Sequence, residues 1–313
     1  MRILSGVVMP YNTHLWEKHN NGLTAVFSTP DALIECQVKT LLIRKVLNMT
    51  NISKNTPVNK KKTSPKYELT NETRVVNGVT LHRIKALRDF DDVKAGDLGG
   101  FIKDESDLSH DGNCWVYDDA MVIQASVSEN AKIRNNACVV NYARVYGNAV
   151  ISDKAWVLSD KAHVYDNAII NGNAKIGGYV FGNAVVSDNA VITEGALIYD
   201  NARVYENAQV SGLVFNDAHV YGKSRLATWS KAYGNAHVFD KAIVYGGSNI
   251  YDNAKVSGSA RVGPCANIHD NAHVSGKAQI CQFTTIYGNA VLKENKKFSE
   301  DVCGFDQDIN NAA

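Results

Sequence analysis

The sequence predicts a mainly β protein, a parallel β-helix of about eleven triangular coils with a small N-terminal α/β segment. Three observations predict it. From Gly100 to Leu292 a unit of the form Val/Ile-x-Gly/Asp-Asn/Lys-Ala-x recurs, and its small slots Ala236, Ala242, Ser248, Ala254, Ala260, Ala266, Ala272, Ala278, Thr284 and Ala290 stand six apart. The Gly/Asp-Asn pairs between the slots supply the left-handed backbone that tight turns require. Six residues hold one short strand and one turn, which bury nothing alone, so units must stack, three to a coil of about 18 residues.

Residues 1–49 read as a small separate piece whose clearest element is TPDALIECQVKTLLIRKVL. Thr29 suits the N-cap, Pro30 the first helical position and Asp31 the positive end of the helix dipole. Leu33, Ile34, Val38, Leu41, Leu42, Val46 and Leu47 form one apolar side, which either docks on the rest of the chain or meets a partner or a second copy. Residues 50–70 read as a polar linker. Lys60, Lys61 and Lys62 there point to solvation rather than to nucleic acid. Residues 71–99 read as a β-hairpin cap around Asn77-Gly78, placed to cover the open strand edges of a solenoid. The hexads fill 100–293, and 294–313 form a polar tail.

Composition narrows the function classes. Lys and Arg number 33 against 32 Asp and Glu, which argues against a global electrostatic grip on nucleic acid. Cys36, Cys114, Cys138, Cys265, Cys281 and Cys303 make no C-x-x-C pair and no zinc spacing, so neither a disulfide framework nor a structural metal is expected. The opening MRILSGVVMP is too short and no later apolar run is long enough for a signal peptide or a span, so a cytoplasmic chain is expected, with no membrane partner.

The steps between small slots are almost all six. The exceptions are Ala120 to Ala125, Ala155 to Ala162, Ala174 to Gly178 and Ala208 to Gly212, and counting by threes puts all four at one corner of the triangle. Strands before and after would therefore stay in line, with one irregular edge. On the strand after that corner, the residue following the aliphatic slot reads Tyr146, Tyr165, Phe181, Tyr199, Phe215, Tyr233, Tyr251, His269, Tyr287. Such a ladder, at about 4.8 Å per rung, either stacks to stiffen the solenoid or offers an exposed stripe to a partner or a second copy.

On the next face the outward residues read Arg203, His219, His237, Lys255, His273, flanked by Tyr205, Tyr221 and Phe239. Basic and imidazole groups beside aromatics suit a phosphate or nucleotide. No carboxylate or cysteine of suitable spacing joins these imidazoles, so no metal is expected there. The turn residues Asp166, Asp188, Asp200, Asp252 and Asp270 read as turn chemistry rather than calcium ligands.

The hexads resemble the left-handed β-helix of hexapeptide acyltransferases. More specifically, Asp89-Phe90-Asp91-Asp92-Val93-Lys94-Ala95-Gly96-Asp97-Leu98-Gly99-Gly100, then Leu108-Ser109 and Gly112-Asn113-Cys114-Trp115-Val116-Tyr117-Asp118, is similar to the leading segment of YdcK-type proteins and of related solenoids in phages and prophages. The resemblance covers about residues 80–293 and implies a left-handed coil and the label of an acetyltransferase, but it carries over no catalytic residue. It also implies that an inhibitory or counter-defence partner is conceivable, and that a trimer through solenoid faces would fit. The expected function is a non-catalytic solenoid that presents a rigid face, on a rod roughly 50 Å long, to a macromolecular partner or to itself, with no cofactor. The first alternative is an acyltransferase using acetyl-CoA, with His219, His237 or His273 as general base at a subunit interface. The second is a nucleotide-binding solenoid. No serine triad, P-loop or dinucleotide fingerprint is present, and GGYVFG at Gly177 lacks the spacing and helix that phosphate binding needs.

Overall fold

A computed structural model of the chain describes residues 16–19, 22–25 and 64–304. The chain divides into two units, residues 1–63 and 64–313. In the first, β1 (Trp16–His19) and β2 (Gly22–Ala25) pair antiparallel, with Trp16 opposite Ala25. The helix expected over TPDALIECQVKTLLIRKVL and most of the expected linker lie outside the described residues.

The second unit opens with the hairpin of β3 (Tyr67–Val76) and β4 (Val79–Ala86), joined by Asn77 and Gly78 at φ 48° and 78°. Its first strand starts at Tyr67, inside the stretch read as linker. Tyr67 is buried, its hydroxyl donates to Leu108 O at 2.8 Å, and its ring stacks on His110 at 4.3 Å. Phe90 and Tyr67 stand edge-on to Trp115 at 5.3 and 6.1 Å, and the buried Lys66 ammonium donates to Cys114 O at 2.8 Å. The Asp92 carboxylate receives Tyr117, Lys132 and Arg134, which hold it down to about 2 despite the opposing cost of burial. β5 (Leu98–Ile102) then pairs antiparallel with β4 and parallel with Met121–Ile123, turning the hairpin into the first solenoid sheet.

From there the chain winds as a parallel β-solenoid. Three sheets run its length, one of fourteen strands that includes the hairpin and two of eleven. Most solenoid strands are two residues long, the first side chain outward and the second inward. Ala202 with Val204 and Ala218 with Val220 show the rule, and all four are fully buried. Each coil donates its backbone N–H groups to the next, as in Arg203 N to Ala218 O at 3.0 Å and Tyr205 N to Val220 O at 3.1 Å. The fourteen-strand sheet is the first face, the sheet of Arg144–Val145 the second and the sheet of Arg203–Val204 the third. The sheets persist past the four irregular steps, which all lie between the first and second faces. Winding continues beyond residue 293, because Lys297–Phe298 and Val302–Gly304 pair with the preceding coil.

The shortened steps form recesses at that corner. Thr193-Glu194 in the coil after the Gly177-Gly178 recess reaches back across it, with Glu194 accepting from Ser159 Oγ at 3.0 Å and Lys161 Nζ at 3.1 Å. Three aromatics left unremarked in the sequence reading project from the same corner: Tyr142, Trp229 and Phe283, each about two-thirds exposed at φ 62°, 69° and 62°. Side chains at such φ cost about 1 kcal/mol or more. An aromatic in a left-handed turn slot that Gly195 and Gly247 fill in other coils was the available signal.

Candidate binding face

The third face gathers the basic column. Arg203, His219, His237, Lys255 and His273 are direct strand partners in successive coils, so residues 70 positions apart share one line. The His219 and His237 rings stack at 4.9 Å. At the corner that follows, Tyr205 stacks on Tyr221 at 4.8 Å and Tyr221 on Phe239 at 5.0 Å, with planes within 5°. These rings lean back over the face: Tyr205 meets His219 and Tyr221 meets His237 edge-on, both at 6.1 Å. In the next coils the aromatic position holds Ser257 and Ser275, and Ser257 Oγ lies 3.1 Å from His273 Nε2.

Desolvation is the first cause that holds all three imidazoles below the usual histidine value. His237 and Arg203 add to it at His219, where Asp217 opposes; Lys255 adds to it at His237, and Lys255 and Lys293 at His273. His163 on the second face is lowered likewise, by burial and then Arg144. The unfolded chain therefore binds more protons than the folded one just below pH about 6.5, and stability is lost as pH falls through that region. The expected result is a lower urea midpoint at pH 5.5 than at 7.5. The drop should shrink in a His219→Asn, His237→Asn, His273→Asn variant; an equal drop would contradict it.

The ladder occupies the corner between the second and third faces. Its rings stack without a break from Tyr146 to Tyr287, through Tyr165, Phe181, Tyr199, Phe215, Tyr233, Tyr251 and His269, with centroids 4.8–5.5 Å apart. The stripe is not the exposed one considered from sequence. Tyr165, Phe181, Tyr199 and Phe215 are 4–8% exposed and the other five are half-buried, because each ring is covered by its neighbours. The Tyr199 hydroxyl is buried without a hydrogen-bond partner between two phenylalanines. Tyr199→Phe should thus stabilise the fold by about 1 kcal/mol, read as a raised urea midpoint; a loss would contradict the burial.

Beside the rings runs a column the sequence reading missed. Asn130, Asn148, Asn167, Asn183 and Asn201 donate in turn from Nδ2 to the Oδ1 of the next coil at 3.0–3.2 Å, ending on Asp217. Asn235, Asn253, Asn271 and Asn289 form a second run. The signal was an Asn before the Ala slot, which recurs at this corner and, with Asn173, Asn189 and Asn207, at the next, where those three also bond in turn. Several turn aspartates accept a backbone N–H from the next coil, as Asp166 does from Gly182 and Asp188 from Glu206. Among the described residues Asp252, His269 and Asp270 have ligand atoms within 4.8 Å of one another, a grouping the sequence reading did not see. One oxygen of each carboxylate is already engaged by the backbone, Asp252 by Asp270 N and Asp270 by Gly288 N, and His269 Nδ1 lies 3.2 Å from Asp270 Oδ1. No helix among the described residues is long and apolar enough to cross a membrane.

A family profile described as "YdcK Beta solenoid repeat" matches residues 143–159 and 196–212, each running from the second face through the third to the first. The chain is also similar to the protein named "Uncharacterized acetyltransferase YdcK" of Escherichia coli (strain K12), 33% identical over 100 residues. That similarity spans 29% of this chain and 29% of the relative.

Proposed function

We propose that this chain, a β-solenoid carrying YdcK-type repeats, is a non-catalytic binding scaffold that presents its third face to an anionic ligand or partner. The observation that carries the reading is the registered column Arg203, His219, His237, Lys255, His273, fixed by backbone bonds rather than by flexible loops. Groups held at the inter-strand spacing lose little freedom on binding, so even modest individual contacts add up. The test is retention on phosphocellulose across a salt gradient. The wild type should elute at higher salt than an Arg203→Ala, His237→Ala, Lys255→Ala variant of equal thermal stability, and identical elution would remove the face from the reading.

A second reading is favoured by one observation. The relative's name includes acetyltransferase, and His219 and His237, both lowered, would be neutral bases at pH 7. Acetyl-CoA would then supply the acyl group. Thermal stabilisation by CoA or acetyl-CoA, lost in a His219→Ala, His237→Ala, His273→Ala variant, would favour it over the scaffold.

A further inference from the structure

The ring column Tyr205, Tyr221, Phe239 stops because the next coil places Ser257 where a ring would continue it. The side of Phe239 turned toward that coil carries no stacked ring among the described residues. Lys255 lies in the Ser257 coil, two residues before it, and is the strand partner of both His237 and His273. It is exposed and pairs with no carboxylate among the described residues.

The column itself shows where a further ring would go. Its members are 4.8–5.0 Å apart, and a ring in one coil stands edge-on to the imidazole of the next at 6.1 Å. A flat ring laid on Phe239 at that spacing falls in the Ser257 coil. It then stands to His273 as Tyr221 stands to His237. Ser257 Oγ, now 3.1 Å from His273 Nε2, and the Lys255 ammonium would border it. Ser257 itself is 5% exposed, so a ligand ring would lie outward of it, where Phe239, Lys255, His237 and His273 offer a stacking surface, a cation and two imidazoles.

We propose that Phe239, Lys255, His237 and His273 bind a nucleotide unit, the base stacked on Phe239 and the phosphate on Lys255 and the imidazoles. A base has the flat face that continues the column, and a phosphate is the anion that a lysine and protonated histidines share. The assignment rests on the scaffold reading and names its ligand class. The same unit is offered by a free mononucleotide or by a single strand. The corner residues Ser257, Gly258 and Ser259 carry no charge; the carboxylate at this corner is that of Asp240, which accepts Gly258 N at 2.9 Å, while Asp217 lies beside His219, farther down the column.

The test is calorimetric titration of the full chain with AMP, adenosine, inorganic phosphate and a twelve-residue oligo-dA. AMP should bind at least tenfold more tightly than adenosine or phosphate, and more tightly at pH 6 than at pH 8. Phe239→Ser should weaken AMP about tenfold, the loss of one stacked base. Lys255→Ala should weaken AMP about tenfold and leave adenosine unchanged. Ser257→Tyr, which extends the column, should abolish AMP binding while holding the thermal midpoint at or above that of the wild type. Tenfold tighter binding of the oligonucleotide assigns the site to a strand, and equal binding to free nucleotide. Absence of AMP and oligonucleotide binding, or AMP binding unchanged in both Phe239→Ser and Ser257→Tyr, overturns the proposal. Phosphocellulose retention that still depends on the basic column would then leave the scaffold reading in place.

Discussion

Gly212→Val should lower the stability of the solenoid by about 3 kcal/mol or more, read as a falling urea midpoint by circular dichroism. Gly212 is the small residue of a shortened step, and a Cβ there would overlap Ser230 O and stand 2.9 Å from Ala227 O. Both obstacles are backbone carbonyls. Ser230 O already accepts Leu213 N at 2.9 Å, so neither coil can retreat without breaking the sheet. Gly178 in the other shortened step is confined likewise, 2.5 Å from Ala196 O and 2.7 Å from Thr193 O. Thr228→Val, exposed at the same corner one coil on, is the control and should change stability by less than about 0.5 kcal/mol. A Gly212→Val midpoint equal to that control would mean the recess is not closed by backbone.

Phe215→Ser should cost about 3 kcal/mol, whereas Tyr287→Ser should cost about 1 kcal/mol. Phe215 is buried between Tyr199 at 4.9 Å and Tyr233 at 4.8 Å, so its loss strips two ring faces at once. Tyr287 ends the ladder, half-buried, with His269 at 5.5 Å as its ring neighbour. The gradient from middle to end separates stacking from partner binding. Equal small costs at both sites, with a loss of self-association on sizing, would instead favour the ladder as an interface.

Much of the fold was legible because its period is short. Once Ala120, Ala155, Ala174 and Ala208 open irregular steps separated by multiples of three units, the remaining residues fall into three faces, and the columns follow by counting. Counting says which residues share a line, not which way their rings lean or what covers them. The burial of Tyr199, the tilt of Tyr221 over His237 and the reach of Glu194 to Lys161 depend on side-chain torsions that no spacing encodes. Tyr67 was misplaced in a linker for a related reason. Its partners, Leu108 and His110, lie more than 40 residues away, where local composition carries no trace of them.

The amide column has a polarity. From Asn148 to Asn201 each asparagine gives a proton toward the C-terminal coil and takes one from the N-terminal side, so neighbouring dipoles align and reinforce one another. Asp217 receives from Asn201 but, having no amide N–H, passes nothing on to Asn235. One carboxylate thus insulates two amide circuits, and it sits in the coil of His219, two coils before the stacked imidazoles are followed by Lys255.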